Sequence, residues 1–266
     1  SFHKKLEFGT GGMRGLIGIG SNRINSYTIS LATQGLCNYL NKVIDGNKSA
    51  VIAYDSRRFS KEFGNQTAKI FSANNIKSYI FSDLRPTPEL SFAVRELNCS
   101  CGIVITASHN PKEYNGYKVY WNDGGQITSP HDNNIISEVE KITDFNQINF
   151  NFKSELIEEI DNKIDKKYIE KIQDLSVYDN SRSKLKIIFS SLHGTGITQI
   201  PNALNAFGFK NISSVKSQEL PDPEFSTVTS PNPEDLDALD LGIKKLKKEK
   251  ADILLATDPD SDRVGV

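Results

Sequence analysis

The sequence predicts an α/β protein of two consecutive domains with mainly parallel, mixed sheets, and three observations lead there. Short β-branched runs alternate with segments of helical period along the chain, the rhythm of strands joined by helical crossovers. Its 266 residues hold two domains at roughly 150 residues each. A stretch rich in Asn, Phe and Ser, from about 144 to 154, has no clear period and separates two such series. The expected domains are therefore 1–158 and 159–266.

In the first series, Ile29, Ala32, Leu36, Leu40 and Val43 share one helical face, with Asn25 or Ser26 as the cap. Ala50 to Tyr54 is an apolar strand, and the turn Asp55-Ser56-Arg57-Arg58 leads into a helix from about Ser60 that carries Phe63, Thr67, Ile70 and Phe71. Ser78 to Phe81 is the next strand. Pro86 and Pro88 mark the entry to a third helix, because proline is tolerated where a helix has no N–H to satisfy. Gly102-Ile103-Val104-Ile105-Thr106 is a β-branched run. It delivers the chain to Ala107-Ser108-His109-Asn110-Pro111, just beyond a strand's carboxyl end, where ligands of open α/β sheets bind.

In the second series Ile164 to Leu175 reads as a helix and Leu185 to Phe189 as a strand, and His193-Gly194-Thr195-Gly196 makes a tight turn into another helix. Four of the ten prolines fall between Pro221 and Pro233, which predicts an irregular connection. Leu236, Leu239, Ile243 and Leu246 then repeat at helical spacing, and the basic run Lys244 to Lys250 is its solvated face and last turn. Strand Asp252 to Ala256 ends at Asp258-Pro259-Asp260-Ser261-Asp262-Arg263.

Two of these loops carry chemistry. A serine hydroxyl needs a base and a cation before it can exchange phosphate. Asp258, Asp260 and Asp262 offer hard oxygen ligands of the kind Mg²⁺ takes while leaving room for phosphate and water. An EF-hand also begins with alternating aspartates, but its sixth position is glycine, whereas this chain has Arg263 there. A phosphatase with Asp258 as nucleophile is a further reading of the same run.

With Phe8-Gly9-Thr10-Gly11-Gly12-Met13-Arg14-Gly15, these two loops resemble those of the α-D-phosphohexomutases, the family of phosphoglucomutases and phosphomannomutases. The resemblance covers essentially the whole chain and implies domains 1 and 2 of a four-domain fold, with the sugar-selecting and distal phosphate-binding loops in domains 3 and 4, beyond this chain. It implies that Ser108 carries the exchanged phosphate and contributes, with Asp258, Asp260 and Asp262, to a Mg²⁺ site. Lys118 becomes the general acid/base, Arg14 and Arg263 contact phosphate, and His109 orients or polarises it. The activity implied is interconversion of a hexose 1-phosphate and 6-phosphate through a sugar 1,6-bisphosphate, which also acts as activator. Asn115-Gly116-Tyr117-Lys118-Val119-Tyr120-Trp121 and Asp123-Gly124-Gly125-Gln126 resemble the branch of bacterial phosphoglucomutases and phosphopentomutases, which favours glucose; mannose and pentose phosphates are the alternatives. Gly11-Gly12-Met13 and Ser261 depart from the common family pattern without removing a functional group.

Three readings stay open in the sequence. Lys118 on a strand could instead point to solvent. Arg57 and Arg58 could be structural ion pairs or site residues, and His193 could do no more than shape its turn. A non-catalytic sugar-phosphate binder also remains, although it has no need for a nucleophile and a cage together.

Composition bounds the partners. With 32 basic and 33 acidic residues the net charge is −1, which makes no electrostatic case for nucleic acid or a membrane surface. Three cysteines, Cys37, Cys99 and Cys101, with no secretory signal and no apolar run of about 20 residues, fit a reducing cytoplasm. Cys99-Ser100-Cys101 has too few ligands for a soft-metal site. The chain starts at Ser1 and stops at Val266 within a predicted strand, so a fragment of a longer protein is expected; nothing in the sequence bears on oligomeric state.

Overall fold

A computed structural model describes residues 2, 6–9, 12–177 and 184–266; Thr10 and Gly11 of the glycine-rich motif lie outside the described residues. In chain order the first unit contains β1 (Phe8–Gly9), β2 (Gly12–Leu16), α1 (Ser26–Val43), β3 (Ser49–Tyr54), α2 (Ser60–Ala73), β4 (Lys77–Phe81), α3 (Thr87–Glu96), β5 (Cys101–Ile105), β6 (Tyr114–Trp121), α4 (His131–Glu140) and β7 (Ile157–Ile160). Among the described residues these strands form one sheet in the order β1-β2-β6-β5-β3-β4-β7.

Strands β5, β3, β4 and β7 are mutually parallel, and β6 enters antiparallel between β5 and β2. The sheet is covered on both faces, so its central strands are apolar throughout rather than alternating. Ile52, Ile103, Tyr117 and Val119 pack under α1 and α2 with Ile29, Leu36, Leu40 and Phe71, whereas Val51, Val104 and Tyr120 pack on the other face with Leu90 and Val94 of α3. Asn25 caps α1 in a capping box, its side chain accepting from Thr28 N while Thr28 Oγ1 accepts from Asn25 N.

Helix α3 lies close on the sheet because β5 presents Gly102 to it: a Cβ there would sit 2.5 Å from Val94 Cγ2. That approach seats α3 against the sheet, with its first residue, Thr87, beside Asp260.

The second unit contains α5 (Asn162–Gln173), β8 (Lys186–Ser190), α6 (Gly196–Ala206), β9 (Asn211–Ser214), α7 (Leu236–Glu249), β10 (Ile253–Thr257) and β11 (Val264–Gly265). Its sheet runs β11-β10-β8-β9, parallel except for β11. Ile188, Leu239, Leu254 and Ala256 form its core. Among the described residues no helix is long and apolar enough to cross a membrane.

The two units meet where α3 faces α5 and α6. Arg85 donates Nε and Nη2 to the two carboxylate oxygens of Asp165, each at 2.9 Å, and Gln199 Nε2 donates to Glu89 Oε1 at 3.4 Å. Burial pushes the Glu89 carboxyl up, and Asp165 beside it adds to the effect, to about 9. Glu89 therefore folds protonated while an unfolded glutamate ionises, so this group contributes stability at low pH that is lost as pH rises from its ordinary 4.5 towards about 9. Glu89→Gln, which keeps a donor but has no proton to lose, is expected to stabilise the full-length protein by about 1–3 kcal/mol near pH 8 and by almost nothing near pH 5. Thermal melts of both proteins across that range measure the difference; an equal shift at both pH values would contradict the protonated Glu89.

Candidate active site

Two strand ends and one helix start converge. β5 presents the serine loop, β10 presents the aspartate loop, and the first turn of α3 braces the second.

Ser108 has a backbone φ of 54°, a left-handed conformation that a non-glycine residue adopts only when its surroundings hold it there. Its N–H donates to Thr106 Oγ1 at 2.8 Å, and Thr106 donates in turn to Asp55 Oδ2 at 2.7 Å. Arg57, 3% exposed, donates to four carbonyls of this loop: Ser108 at 2.5 Å, Asn110 at 2.6 Å, Pro111 at 2.9 Å and Tyr114 at 3.1 Å. Its Nε is 3.2 Å from Asp55 Oδ2. The open question about the paired arginines is thus divided: Arg57 is a wholly internal brace, while Arg58 is half-exposed and pairs with Glu224.

The aspartate loop is folded around its first member. Asp258 Oδ1 accepts from the N–H groups of Asp262 and Arg263 at 3.1 and 3.0 Å, leaving Oδ2 to accept from Ser108 Oγ at 2.7 Å across 150 residues of sequence. Thr87, first residue of α3, donates its N–H to Asp260 O at 2.9 Å and its hydroxyl to Asp260 Oδ2 at 2.8 Å. Lys118 does not point to solvent. It is 9% exposed on β6, on the same face as Tyr120, and its Nζ donates to Asp260 Oδ2 at 2.6 Å and Asp262 Oδ2 at 2.8 Å.

One ligand atom from each of Asp258, Asp260 and Asp262 can be chosen with all three within 4.8 Å of one another. Asp260 Oδ1 is buried with no hydrogen-bond partner, an unsatisfied acceptor that a hard cation would satisfy. Burial, then repulsion from Asp260 and Asp262, raises the Asp258 carboxyl. Burial is the largest influence on Asp260 and acts in the same direction, but the Lys118 ammonium together with hydrogen bonds from its neighbours, Thr87 among them, holds that carboxyl low. Lys118 is pulled down by burial and pushed further up by Asp260 and Asp262, so it is a firm ammonium. The donor set, three carboxylates with one buried oxygen lacking a partner, fits Mg²⁺.

The remaining sequence candidates ring the serine. His109 Nδ1 is 3.3 Å from Ser108 Oγ; burial, then the nearby Arg263 and Arg14 guanidiniums, lowers its affinity for a proton. Arg14, on β2, donates Nη1 to Asn110 Oδ1 at 2.8 Å. Arg263 Nη1 donates to Glu234 Oε1 at 2.7 Å, an exposed pair that leaves the guanidinium at the rim. All the named candidates are therefore brought to one place. Thr87 has no functional signal in the sequence, because Pro86-Thr87-Pro88 marks only a helix start; Asp55 sits in a segment whose signal is a turn, and Glu234 at the end of an irregular, proline-rich connection.

The comparisons agree with this architecture. The family model described as phosphoglucomutase/phosphomannomutase, alpha/beta/alpha domain I, matches residues 5–146, and that of domain II matches residues 166–266. A phosphoglucomutase from Staphylococcus haemolyticus strain JCSC1435 is 42% identical across 99% of this chain and 48% of its own length. One from Staphylococcus aureus strain MRSA252 is 40% identical across 100% and 48%. The chain thus spans about half the length of the curated relatives it matches. A Thermus thermophilus structure assigned to the phosphomannomutases superposes with a TM-score of 0.84 at 25% identity, over 98% of this chain and 56% of that one. A phosphoglucomutase/phosphomannomutase family protein from Burkholderia thailandensis shares the fold, with a TM-score of 0.78 at 22% identity over 97% and 53%. With both domain models matched and two fifths of its residues shared with full-length phosphoglucomutases, the chain belongs to the phosphoglucomutase/phosphomannomutase family and carries its first two α/β domains.

Proposed function

We propose that the protein containing these residues is a sugar-phosphate mutase that interconverts hexose 1-phosphate and hexose 6-phosphate, glucose favoured, with Ser108 as the phosphate carrier. The observation that carries this reading is Ser108 Oγ hydrogen-bonded at 2.7 Å to Asp258 within the triple-aspartate cluster. A nucleophile held against a cation cage suits phosphoryl transfer, where positioning and charge do most of the work.

In the forward direction the bond from phosphorus to Ser108 Oγ breaks as a bond to the free sugar hydroxyl forms, giving the sugar 1,6-bisphosphate. After the intermediate turns in the cleft, its other phosphate returns to Ser108 and the starting protonation is restored. Mg²⁺ held by Asp258, Asp260, Asp262 and the phosphate on Ser108 would supply positive charge to the transferring group. Arg14 and Arg263 add fixed charge at the rim, and His109 orients the phosphate. Lys118 is the group assigned to trade a proton with the sugar hydroxyl; Asp260 and Asp262 hold it as an ammonium, and a divalent ion taking up those carboxylates would loosen that hold. A sugar 1,6-bisphosphate primes Ser108 and so acts as the activator, and the cytoplasm is the compartment that suits three buried free thiols.

Within this reading the nucleophile domain is 1–158 and the metal domain 159–266, to within the length of β7, whose residues Ile157–Ile160 straddle the division as the edge of the first sheet. Specificity is tested by coupled assays of the full-length protein on glucose, mannose and ribose 1-phosphates. The expected order puts glucose 1-phosphate first by about 10-fold or more in kcat/KM, the scale set by a few sugar-hydroxyl contacts. A preference for mannose or ribose would move the protein to another branch of the same chemistry.

A further inference from the structure

The His193-Gly194-Thr195-Gly196 turn has no part in the mutase steps, yet it touches the supports of both functional loops. Its first arm reaches the serine loop. His193 Nδ1 is 3.1 Å from Leu220 O, so that nitrogen carries the proton, and Nε2 is 2.8 Å from Thr227 Oγ1. Gln218 Nε2 donates to the same hydroxyl at 3.1 Å, which leaves Thr227 to donate its proton to the imidazole. One ring thereby pins both ends of the 220–227 segment. Leu192 and His193 themselves have φ of 44° and 64°, backbone that L residues adopt only under constraint.

Between the pins the segment folds over Asp222, whose carboxylate accepts from Glu224 N at 2.9 Å and Ser226 N at 3.0 Å. This presents Phe225, 1% exposed, to the Arg57 guanidinium, whose central carbon is 5.1 Å from the ring centroid. Glu224 meanwhile pairs with Arg58 and Lys112 at the two ends of the serine loop's supports. Arg57 is the residue that holds the Ser108, Asn110, Pro111 and Tyr114 carbonyls, so the ring of a second-domain residue seats the brace of a first-domain nucleophile.

The second arm presses on the aspartate loop. Thr195 N–H donates to Pro259 O at 2.8 Å, and Thr195 Oγ1 meets Ser261 Oγ at 3.0 Å. At Gly194 an added Cβ would come within 2.4 Å of Pro259 Cα and 2.6 Å of its carbonyl oxygen, so only glycine lets the turn back directly onto the residue between two of the cage aspartates.

We propose that the His193–Gly196 turn is a shared positioning element, seating the nucleophile loop through Phe225 and Arg57 and the aspartate cage through Gly194 and Thr195. The inference rests on the mutase reading for its first arm and on the cage alone for its second. In the full-length protein, Phe225→Ala, His193→Gly and the isosteric Thr227→Val act on the first arm; Gly194→Ala acts on the second. Two quantities are read beside the melting temperature: the single-turnover rate of Ser108 phosphorylation by glucose 1,6-bisphosphate, followed by mass, and Mn²⁺ affinity by electron paramagnetic resonance.

First-arm variants are expected to slow phosphorylation by about 10- to 100-fold, Thr227→Val least, with Mn²⁺ affinity within about 2-fold of the parent, because a small misplacement of a nucleophile is costly and the cage is untouched. Gly194→Ala is expected to weaken Mn²⁺ binding by about 10-fold or more. Variants that lose both quantities in proportion to their melting temperature, or neither, overturn the proposal. A parent protein that takes Mn²⁺ but no phosphate on Ser108 overturns the mutase reading and the first arm with it, while the Gly194→Ala result still decides the second.

Discussion

Ser108→Ala in the full-length protein is expected to lower mutase turnover by on the order of 10⁴-fold or more, the scale on which loss of a covalent nucleophile is felt. The cost in stability should be modest. The hydroxyl makes one buried hydrogen bond to the Asp258 carboxylate, worth about 1–3 kcal/mol, and the loop around it is held by backbone contacts from Arg57 and Thr106 that alanine leaves intact. The result separates two chemistries that place aspartates after a strand. If Asp258 were itself the nucleophile of a phosphatase, Ser108→Ala would retain activity and Asp258→Asn would abolish it. Initial rates on glucose 1-phosphate and on a phosphomonoester, measured for both variants, decide between them.

The second large effect belongs to Asp260→Ala. This carboxylate is fully buried, accepts from Lys118 and Thr87 through Oδ2, and keeps Oδ1 without a partner. Its removal is expected to weaken divalent-ion binding by about 100-fold or more, since one of three hard ligands is gone and the Lys118 ammonium beside the ion has one carboxylate fewer to offset it. The effect on stability is smaller than for most buried ion pairs. Lys118 retains Asp262 at 2.8 Å, and one of three mutually repelling carboxylates disappears, so about 1–3 kcal/mol is expected rather than the full cost of stranding a buried charge. Mn²⁺ titration and urea melts of parent and variant give the two numbers; unchanged metal affinity would remove Asp260 from the cage.

The strands and helices with strong periodicity are legible in the sequence because their burial is simple. α1 shows one apolar stripe, and β3 and β5 are short apolar runs buried on both faces. Strands β7 and β9, Ile157–Ile160 and Asn211–Ser214, are partly exposed and half polar. They lie at the edges of their sheets, where a polar side chain has water to face, so no apolar run or clean alternation marks them. β6 is hidden for a different reason. Inserted between β2 and β5, it buries Tyr117 and Val119 on one face and Tyr120 on the other, with Lys118 among them; a lysine in such a run reads equally as solvated, and only the arrival of the aspartate loop gives it partners.

The site shows the same division. Ser108 and the three aspartates are readable because their chemistry is local, a nucleophile in one short motif and a ligand set in another. Thr87 and Phe225 act across the boundary between the two units, on a backbone turn and a guanidinium, and Arg57 acts within its own unit on carbonyls more than 50 residues later. Residue type signals none of those contacts. His193 is the intermediate case: its motif stands out as a turn, but the two hydrogen bonds that give the turn its purpose end on residues 27 and 34 positions later.

The central claim is that Ser108 carries the phosphate and that the aspartate cage enables it to do so. Its most direct test is mass mapping of the Ser108 peptide from full-length protein incubated with Mg²⁺ and glucose 1,6-bisphosphate. Phosphate on Ser108 in the parent, and none in Asp260→Ala, is the expected result. A Ser108 that stays unmodified in folded, metal-binding protein, or phosphate found on Asp258 instead, would contradict it.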